Sequence, residues 1–230
     1  MPRSWICRTD MGQGEALQNI FALLLARFGP RHWWPADNPF EVLVGAVLTQ
    51  NTSWQNVQRA IDALRDYGCL GFEALENLPV EELTALIRPC GYHGVKARRL
   101  KNLLAMLRCE YHGDVSAIAR DTLPAARRKL LAVSGVGPET ADAILLYAAG
   151  HPVFVVDAYT HRVFSRHFLV PEESDYDEIQ STFMAALPTD AALFNEYHAL
   201  IVELGKRFCK KRRPLCAGCP LKDLPHNEIE

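Results

Sequence analysis

The apolar positions of this chain recur with a helical period. Leu17, Ile20, Phe21, Leu24 and Phe28 fall at i, i+3, i+4, i+7 and i+11, a single stripe along one helix. Residues 40–48 are apolar almost all round, which predicts a helix at the centre of a bundle. Val57, Ile61 and Leu64 carry a third helix, and Val80, Leu83 and Ile87 a short fourth between Pro79 and Pro89. Residues 95–111 predict a long helix, basic on one side, with Leu100, Leu103, Leu104 and Leu107 on the other and Gly113 closing it. Two further helices are expected over 124–133 and 138–149. Asp175 is placed to cap a helix carrying Tyr176, Ile179 and Phe183. Thr189 is placed to cap one running through Leu193, Tyr197, Leu200 and Leu204 to Phe208. The one strand-like run, 153–156, is too short and isolated to seed a sheet and reads as an extended connector. The pattern predicts an all-α fold, with no internal repeat and no low-complexity segment.

Composition narrows the class without naming a function. A chain of 230 residues, 49% hydrophobic and 23% charged, is an ordinary globular chain that can bury a core in one unit or two lobes. No apolar run approaches the ~20 residues of a membrane span. The opening MPRSWICRTDMGQGEAL lacks the apolar stretch of a secretory signal, so a cytoplasmic protein with no membrane partner is expected. The net charge of −2 does not announce a nucleic-acid partner, but the charges are unevenly spread. Lys96, Arg98, Arg99 and Lys101 form one basic cluster and Arg127, Arg128 and Lys129 a second. Lys206, Arg207, Lys210, Lys211, Arg212 and Arg213 form a third. Such clusters either track phosphates or are solvated helix faces. Of seven cysteines, Cys7, Cys69, Cys90 and Cys109 are scattered and read as small buried hydrophobes. Cys209, Cys216 and Cys219 lie together, which in a cytosolic chain points to metal before disulfide.

Two features carry candidate chemistry. Ser134-Gly135-Val136-Gly137 sits between two helical segments and is followed by Pro138, which suits the first position of a helix. Paired glycines allow a tight turn and a close backbone approach, so the hairpin is a candidate phosphate site or an ordinary helix-helix turn. About twenty residues further on, Asp157 follows directly on the apolar run 153–156. An acid there reads as a helix N-cap, as a catalytic carboxylate at a cleft edge, or as both.

Taken together, LAVSGVGPETADAILLYAAGHPVFVVDAYTHRV resembles the helix-hairpin-helix, Gly/Pro and Asp signature of the endonuclease III superfamily of DNA glycosylases. The resemblance runs from Trp33-Trp34-Pro35 to the C-terminal cysteines. It implies two helical lobes around a cleft, residues 30–149 forming one lobe and 1–29 with 150–230 the other. It also implies a monomer acting on double-stranded DNA with damaged bases, in the cytoplasm on a nucleoid of bacterial or archaeal type. In that family the aspartate faces the flipped nucleotide and the hairpin grips the backbone, which assigns catalysis to Asp157 and phosphate binding to Gly135, Val136 and Gly137. A carboxylate suits the reaction, because breaking an N-glycosidic bond builds positive charge on the sugar. The base must first leave the stack, at a cost of a few kcal/mol.

Within the superfamily the chain departs from bifunctional members, which carry a lysine nucleophile in a pattern like GVGRKTA. Here Glu139 holds that position and cannot form a Schiff base, so a monofunctional glycosylase is expected. Residues 33–35, 40–52 and 88–97 are most similar to the 3-methyladenine glycosylases. That resemblance implies alkylated purines as substrates and assigns Trp34 and Trp54 to sandwich the cationic base. It assigns Gln50 or Asn51 to the gap left by the flipped base, Tyr92 to the wedge between bases, and Lys96 to the DNA contact. Oxidised pyrimidines, uracil or mispaired adenine are the alternative substrates, and a catalytically silent DNA-binding module the alternative class.

The family often ends in four cysteines spaced C-x6-C-x2-C-x5-C around a [4Fe-4S] cluster. Cys209, Cys216 and Cys219 match the first two spacings, and Pro225 stands at the fourth position. The resemblance implies an iron-sulfur cluster with Asp223 or His226 available as the fourth ligand. Zinc or no metal are the alternatives.

Overall fold

The computed structural model describes residues 12–227. Cys7 lies outside the described residues. Among them eleven α-helices follow one another without a strand, so the expected all-α class holds. They are α1 (Gln13–Phe28), α2 (Pro39–Leu48), α3 (Trp54–Asp66), α4 (Phe72–Asn77), α5 (Val80–Leu86) and α6 (His93–Tyr111). α7 (Leu123–Leu131), α8 (Pro138–Ala143), α9 (Ala158–Arg166), α10 (Tyr176–Ala186) and α11 (Ala191–Arg207) complete them. No helix of the described residues is long and apolar enough to cross a membrane. The described residues divide into two compact units, one of residues 34–151 and one of 12–33 with 152–227.

In the middle unit α2 is the central helix. Every residue from Glu41 to Leu48 is buried, as its unbroken apolar run predicts. Asn38 starts it by accepting the Glu41 amide at 3.0 Å, and Pro39 follows at the first turn. α3, α6, α8 and a short 3-10 segment, Val115–Arg120, pack around it. The leucine stripe of α6 is fully buried at positions 100, 103, 104 and 107. Two features escape the periodicity. α4 is too short to show a repeat, and α8 passes directly into a single π-helical turn, Ile144–Ala148. A π-turn widens the helix by one residue and re-aims the side chains that follow.

The other unit is organised by α11, which packs against α9 and α1, while α10 packs against α1. Its core is aromatic. Phe154 stacks on Phe183 at 4.1 Å, Phe164 meets Phe183 edge-on at 4.7 Å, and the buried Tyr197 hydroxyl donates to Leu17 O at 2.8 Å. Residues 153–156 are buried and belong to neither helix nor strand, with Gln180 Nε2 donating to Phe154 O at 2.7 Å in place of a neighbouring strand. Asp175 caps α10 as expected, and Glu178 completes a reciprocal capping box. α11 is capped by Asp190, one residue beyond Thr189, because the Asp190 carboxylate accepts both the Ala192 and Leu193 amides.

Candidate active site

In the middle unit, Val136 N bonds back to Val133 O at 3.0 Å and folds the hairpin. Val136 is buried, so its amide and side chain hold the turn, and the exposed outer edge belongs to Gly137 and the first turn of α8. Gly135 takes φ +98°, and a Cβ there would stand 2.3 Å from Arg99 Cγ; glycine is required on both counts. Gln50 fastens the hairpin from beneath. Its Nε2 donates to Gly135 O at 3.2 Å and Thr140 Oγ1 at 2.9 Å, while its Oε1 accepts from Arg99. Asn102 adds a bond to Ser134 O at 3.0 Å.

Both ends of the Gln50 amide are engaged under the hairpin, so in this arrangement it braces the turn. Asn51 is the exposed neighbour, held at φ +53°. Tyr92 is likewise left-handed, at φ +45°, and is 72% exposed at the start of α6. A bulky side chain in that backbone region is uncommon and strained, and an exposed aromatic ring there leaves much apolar surface in water.

Lys96, expected at the DNA contact, is buried. It is 1% exposed, and its Nζ donates to Leu48 O at 2.9 Å and Cys90 O at 2.8 Å. Leu48 is the last residue of α2, whose terminal carbonyls have no partner within the helix. The ammonium is an internal helix cap, and burial lowers its pKa below the ordinary lysine value. Lys101 does the same for α4, donating to Leu75 O and Glu76 O, both at 2.8 Å. In the second basic cluster Arg127 makes a two-pronged pair with the fully buried Asp142, at 2.8 and 3.1 Å. Lys129 bonds Asp121 at 2.9 Å and Glu110 at 3.0 Å. Arg98 and Arg128 remain exposed in these two clusters, and Lys210 to Arg213 are exposed in the third.

Trp34 and Trp54 lie against each other, but not as two parallel faces. Their rings meet edge to face at 5.3 Å and 84°. A base between two parallel rings needs about 7 Å, two contacts of roughly 3.5 Å each. Trp34 instead sits over Gly45 of α2, where a Cβ would come within 3.0 Å of its ring. Its centroid lies 5.4 Å from that of Tyr147. Tyr147 was not legible as a site residue, because the π-turn that presents it gives no periodic signal.

In the other unit Asp157 caps α9. Its Oδ1 accepts from Tyr159 N at 2.9 Å, Thr160 N at 2.8 Å and Thr160 Oγ1 at 3.0 Å. Its Oδ2 lies 3.7 Å from Nε2 of the largely buried His198, on α11. Burial pushes this carboxyl's pKa upward, but the His198 and Thr160 donors outweigh it, and the group is held below the ordinary carboxylate range. The N-cap and the fixed anion are therefore one residue. His198 lies 41 positions along the chain (198 − 157), and only packing of α11 on α9 reveals it.

The three clustered cysteines also lie in this unit. Cys209, Cys216 and Cys219 line one cavity with His167 and His226. Burial raises the Cys219 pKa, and the neighbouring Cys209 and Cys216 sulfurs raise it further. Arg166 Nη1 donates to Cys209 Sγ at 3.2 Å. Among the described residues no three His, Cys, Asp or Glu side chains converge as a single metal ion requires. Three thiol sulfurs and two imidazoles around one cavity are a donor set of the kind that takes iron-sulfur clusters or zinc. Of the scattered cysteines, Cys69 and Cys90 are buried as expected, whereas Cys109 is exposed on α6.

Comparison with known proteins places these features. The profile of the HhH-GPD superfamily base excision DNA repair proteins matches residues 44–189. A protein of Methanocaldococcus jannaschii named as a DNA repair glycosylase is 47% identical over 212 residues, 91% of this chain and 95% of the relative. The crystal structure of H. pylori 3-methyladenine DNA glycosylase bound to 1,N6-ethenoadenine is similar, with TM-score 0.72 and 30% identity over 86% of this chain and 98% of that one. A non-covalent endonuclease III–DNA complex matches with TM-score 0.79 and 26% identity, over 94% and 96%.

Proposed function

Because the chain belongs to the HhH-GPD superfamily of base excision DNA repair proteins and is a DNA glycosylase of that family, we propose that it is a monofunctional enzyme releasing alkylated purines from double-stranded DNA. The observation that carries the reading is Glu139, exposed on the first turn of α8 where bifunctional members carry their lysine. A carboxylate has no amine to add to the sugar, so water is left as the nucleophile. The similarity to the H. pylori enzyme, and the π faces of Trp34, Trp54 and Tyr147, support a cationic purine as the leaving group.

Hydrolysis breaks the C1′–N bond, and the alkylated base keeps the electron pair, which neutralises its own cation. Water adds to C1′ and its proton passes to solvent. Asp157 stabilises the positive sugar as a fixed anion; its lowered pKa makes it a weak proton acceptor, so charge stabilisation dominates its role. Gly137 and the start of α8 bind a phosphate, Tyr92 wedges the stack and Asn51 fills the vacated position. Cys209, Cys216 and Cys219 would hold three corners of a [4Fe-4S] cluster, which when bound would supply a structural cross-link for the C-terminal segment.

The test is base release from duplexes carrying 3-methyladenine, 7-methylguanine, uracil or thymine glycol, with wild type and Asp157→Asn. Release of methylated purines is expected, with strand breaks only after alkali and a loss of at least about 10²-fold in the variant. Strand cleavage without alkali overturns the monofunctional reading, and release of a pyrimidine alone overturns the substrate.

A further inference from the structure

We propose that His226 is the fourth ligand of the cluster held by Cys209, Cys216 and Cys219. This assignment rests on the cluster reading above and completes its donor set. His226 lines the same cavity as the three cysteines, whereas Asp223 is exposed and does not line it.

The tautomer is set by a hydrogen bond. His226 Nδ1 lies 2.8 Å from Leu224 O, and a carbonyl can only accept, so Nδ1 carries the proton. Nε2 is left with its lone pair. Metal-bound imidazoles commonly donate their other ring N–H to a carbonyl or carboxylate, which fixes the ring and raises its basicity.

The backbone around His226 is pinned on both sides. Asn227 N donates to Arg166 O at 2.8 Å, and His167 Nδ1 donates to Pro225 O at 3.0 Å. His167 lines the cavity as well, with its ring 5.5 Å from that of His226. It differs in being almost fully buried at the end of α9, with its bond spent on the segment that carries His226. His167 is therefore a positioning residue. The spacing agrees with this division. His226 is one residue past the fourth-cysteine position occupied by Pro225, and an imidazole nitrogen reaches farther from its Cα than a thiolate sulfur.

A neutral imidazole in place of a thiolate leaves the cluster one negative charge short. That raises its reduction potential relative to a four-thiolate site, and the Arg166 bond to Cys209 acts in the same direction. Binding at this corner also releases no proton, unlike a thiol, which must lose one.

The test uses the full chain, reconstituted without oxygen from ferrous iron and sulfide and labelled with ¹⁵N-histidine. Wild type should bind about four irons per chain, and its reduced cluster should show nitrogen hyperfine coupling in pulsed electron paramagnetic resonance. His226→Cys should keep the iron, lose the coupling and titrate at a more negative potential. His226→Ala should fall to about three irons, with the signal of an oxidised three-iron cluster. Absence of nitrogen coupling in the wild type, or coupling kept in His226→Cys and lost in His167→Ala, overturns the assignment while leaving the cluster. Failure of the wild type to bind iron and sulfide at all overturns both, and iron content separates the two failures.

Discussion

Replacing Gly135 and Gly137 separately by alanine should have opposite consequences, although they flank a single residue of one turn. At Gly135 the backbone has φ +98°, outside the small left-handed well, and a methyl group there is strained by about 1–3 kcal/mol. The methyl would also stand 2.3 Å from Arg99 Cγ and 2.8 Å from Cδ, so the arginine must swing away. That breaks its bond to Gln50, worth about 0.5–1.5 kcal/mol for an ordinary bond and more for a charged donor. The sum is about 2–4 kcal/mol. At a urea slope of about 2–3 kcal/mol per molar, the midpoint falls by roughly 1–2 M. At Gly137 the φ is −97° and nothing lies within 4 Å of an added Cβ. Alanine there costs the fold nothing and gains up to about 1 kcal/mol by restricting the unfolded chain. Urea unfolding followed by tryptophan fluorescence reads both variants. Binding to a duplex containing an abasic-site analogue then reads the exposed edge alone, since Gly137→Ala should weaken it with no loss of stability. Equal midpoints for wild type and Gly135→Ala would refute the steric argument, and undiminished DNA binding by Gly137→Ala would remove the hairpin edge from the phosphate contact.

Three further outcomes follow from the geometry. Lys96→Met should destabilise the chain by about 2–3 kcal/mol by leaving two buried carbonyls without a donor. It should leave the salt dependence of DNA binding unchanged, since a buried ammonium neutralises no phosphate. A slope reduced by about one would return Lys96 to the interface. Because burial depresses the Lys96 pKa, the unfolded chain binds the proton more tightly, and wild-type stability gains from this group as pH rises through the folded value toward 10.5; Lys96→Met should lack that gain. Asp157 has a depressed carboxyl pKa, so the stability it contributes is present above the ordinary value of 3.8 and is lost as pH falls through the lower folded value. Base release should accordingly stay flat from about pH 7 to pH 5. A fall centred near pH 6 in the pH–rate profile, with folding intact by circular dichroism, would show that another group controls the rate. Tyr92→Gly should relieve the φ +45° conformation, worth about 1–2 kcal/mol, against about 0.4–1 kcal/mol lost to a freer unfolded chain, a net gain of up to about 1 kcal/mol, while slowing base release from duplex DNA. Unchanged release by that variant, measured against the same lesion in single-stranded DNA, would remove the wedge.

The sequence determined what nearest neighbours and helical period can determine. The stripes at 17–28 and 100–107, the buried run of α2, the Asp175 cap and the hairpin are properties of residues within one or two turns of each other, and each is found in place. Asp157 was legible because an acid after a buried connector and before a helix is itself a local pattern. What the sequence left open are contacts between residues far apart along the chain, because side-chain direction there depends on how helices pack. Lys96 and Arg98 are two residues apart, yet one caps α2 from inside and the other meets solvent, a difference set by which face of α6 turns toward the core. Gln50 is drawn under a hairpin 85 residues away, and His198 reaches Asp157 only because α11 lies on α9. Tyr147 depends on a single π-turn, and His226 faces the cysteine cavity because His167 and Arg166 hold the segment that carries it. Period and propensity place residues on elements, whereas the burial of polar groups, each needing a partner once removed from water, decides which of them meet.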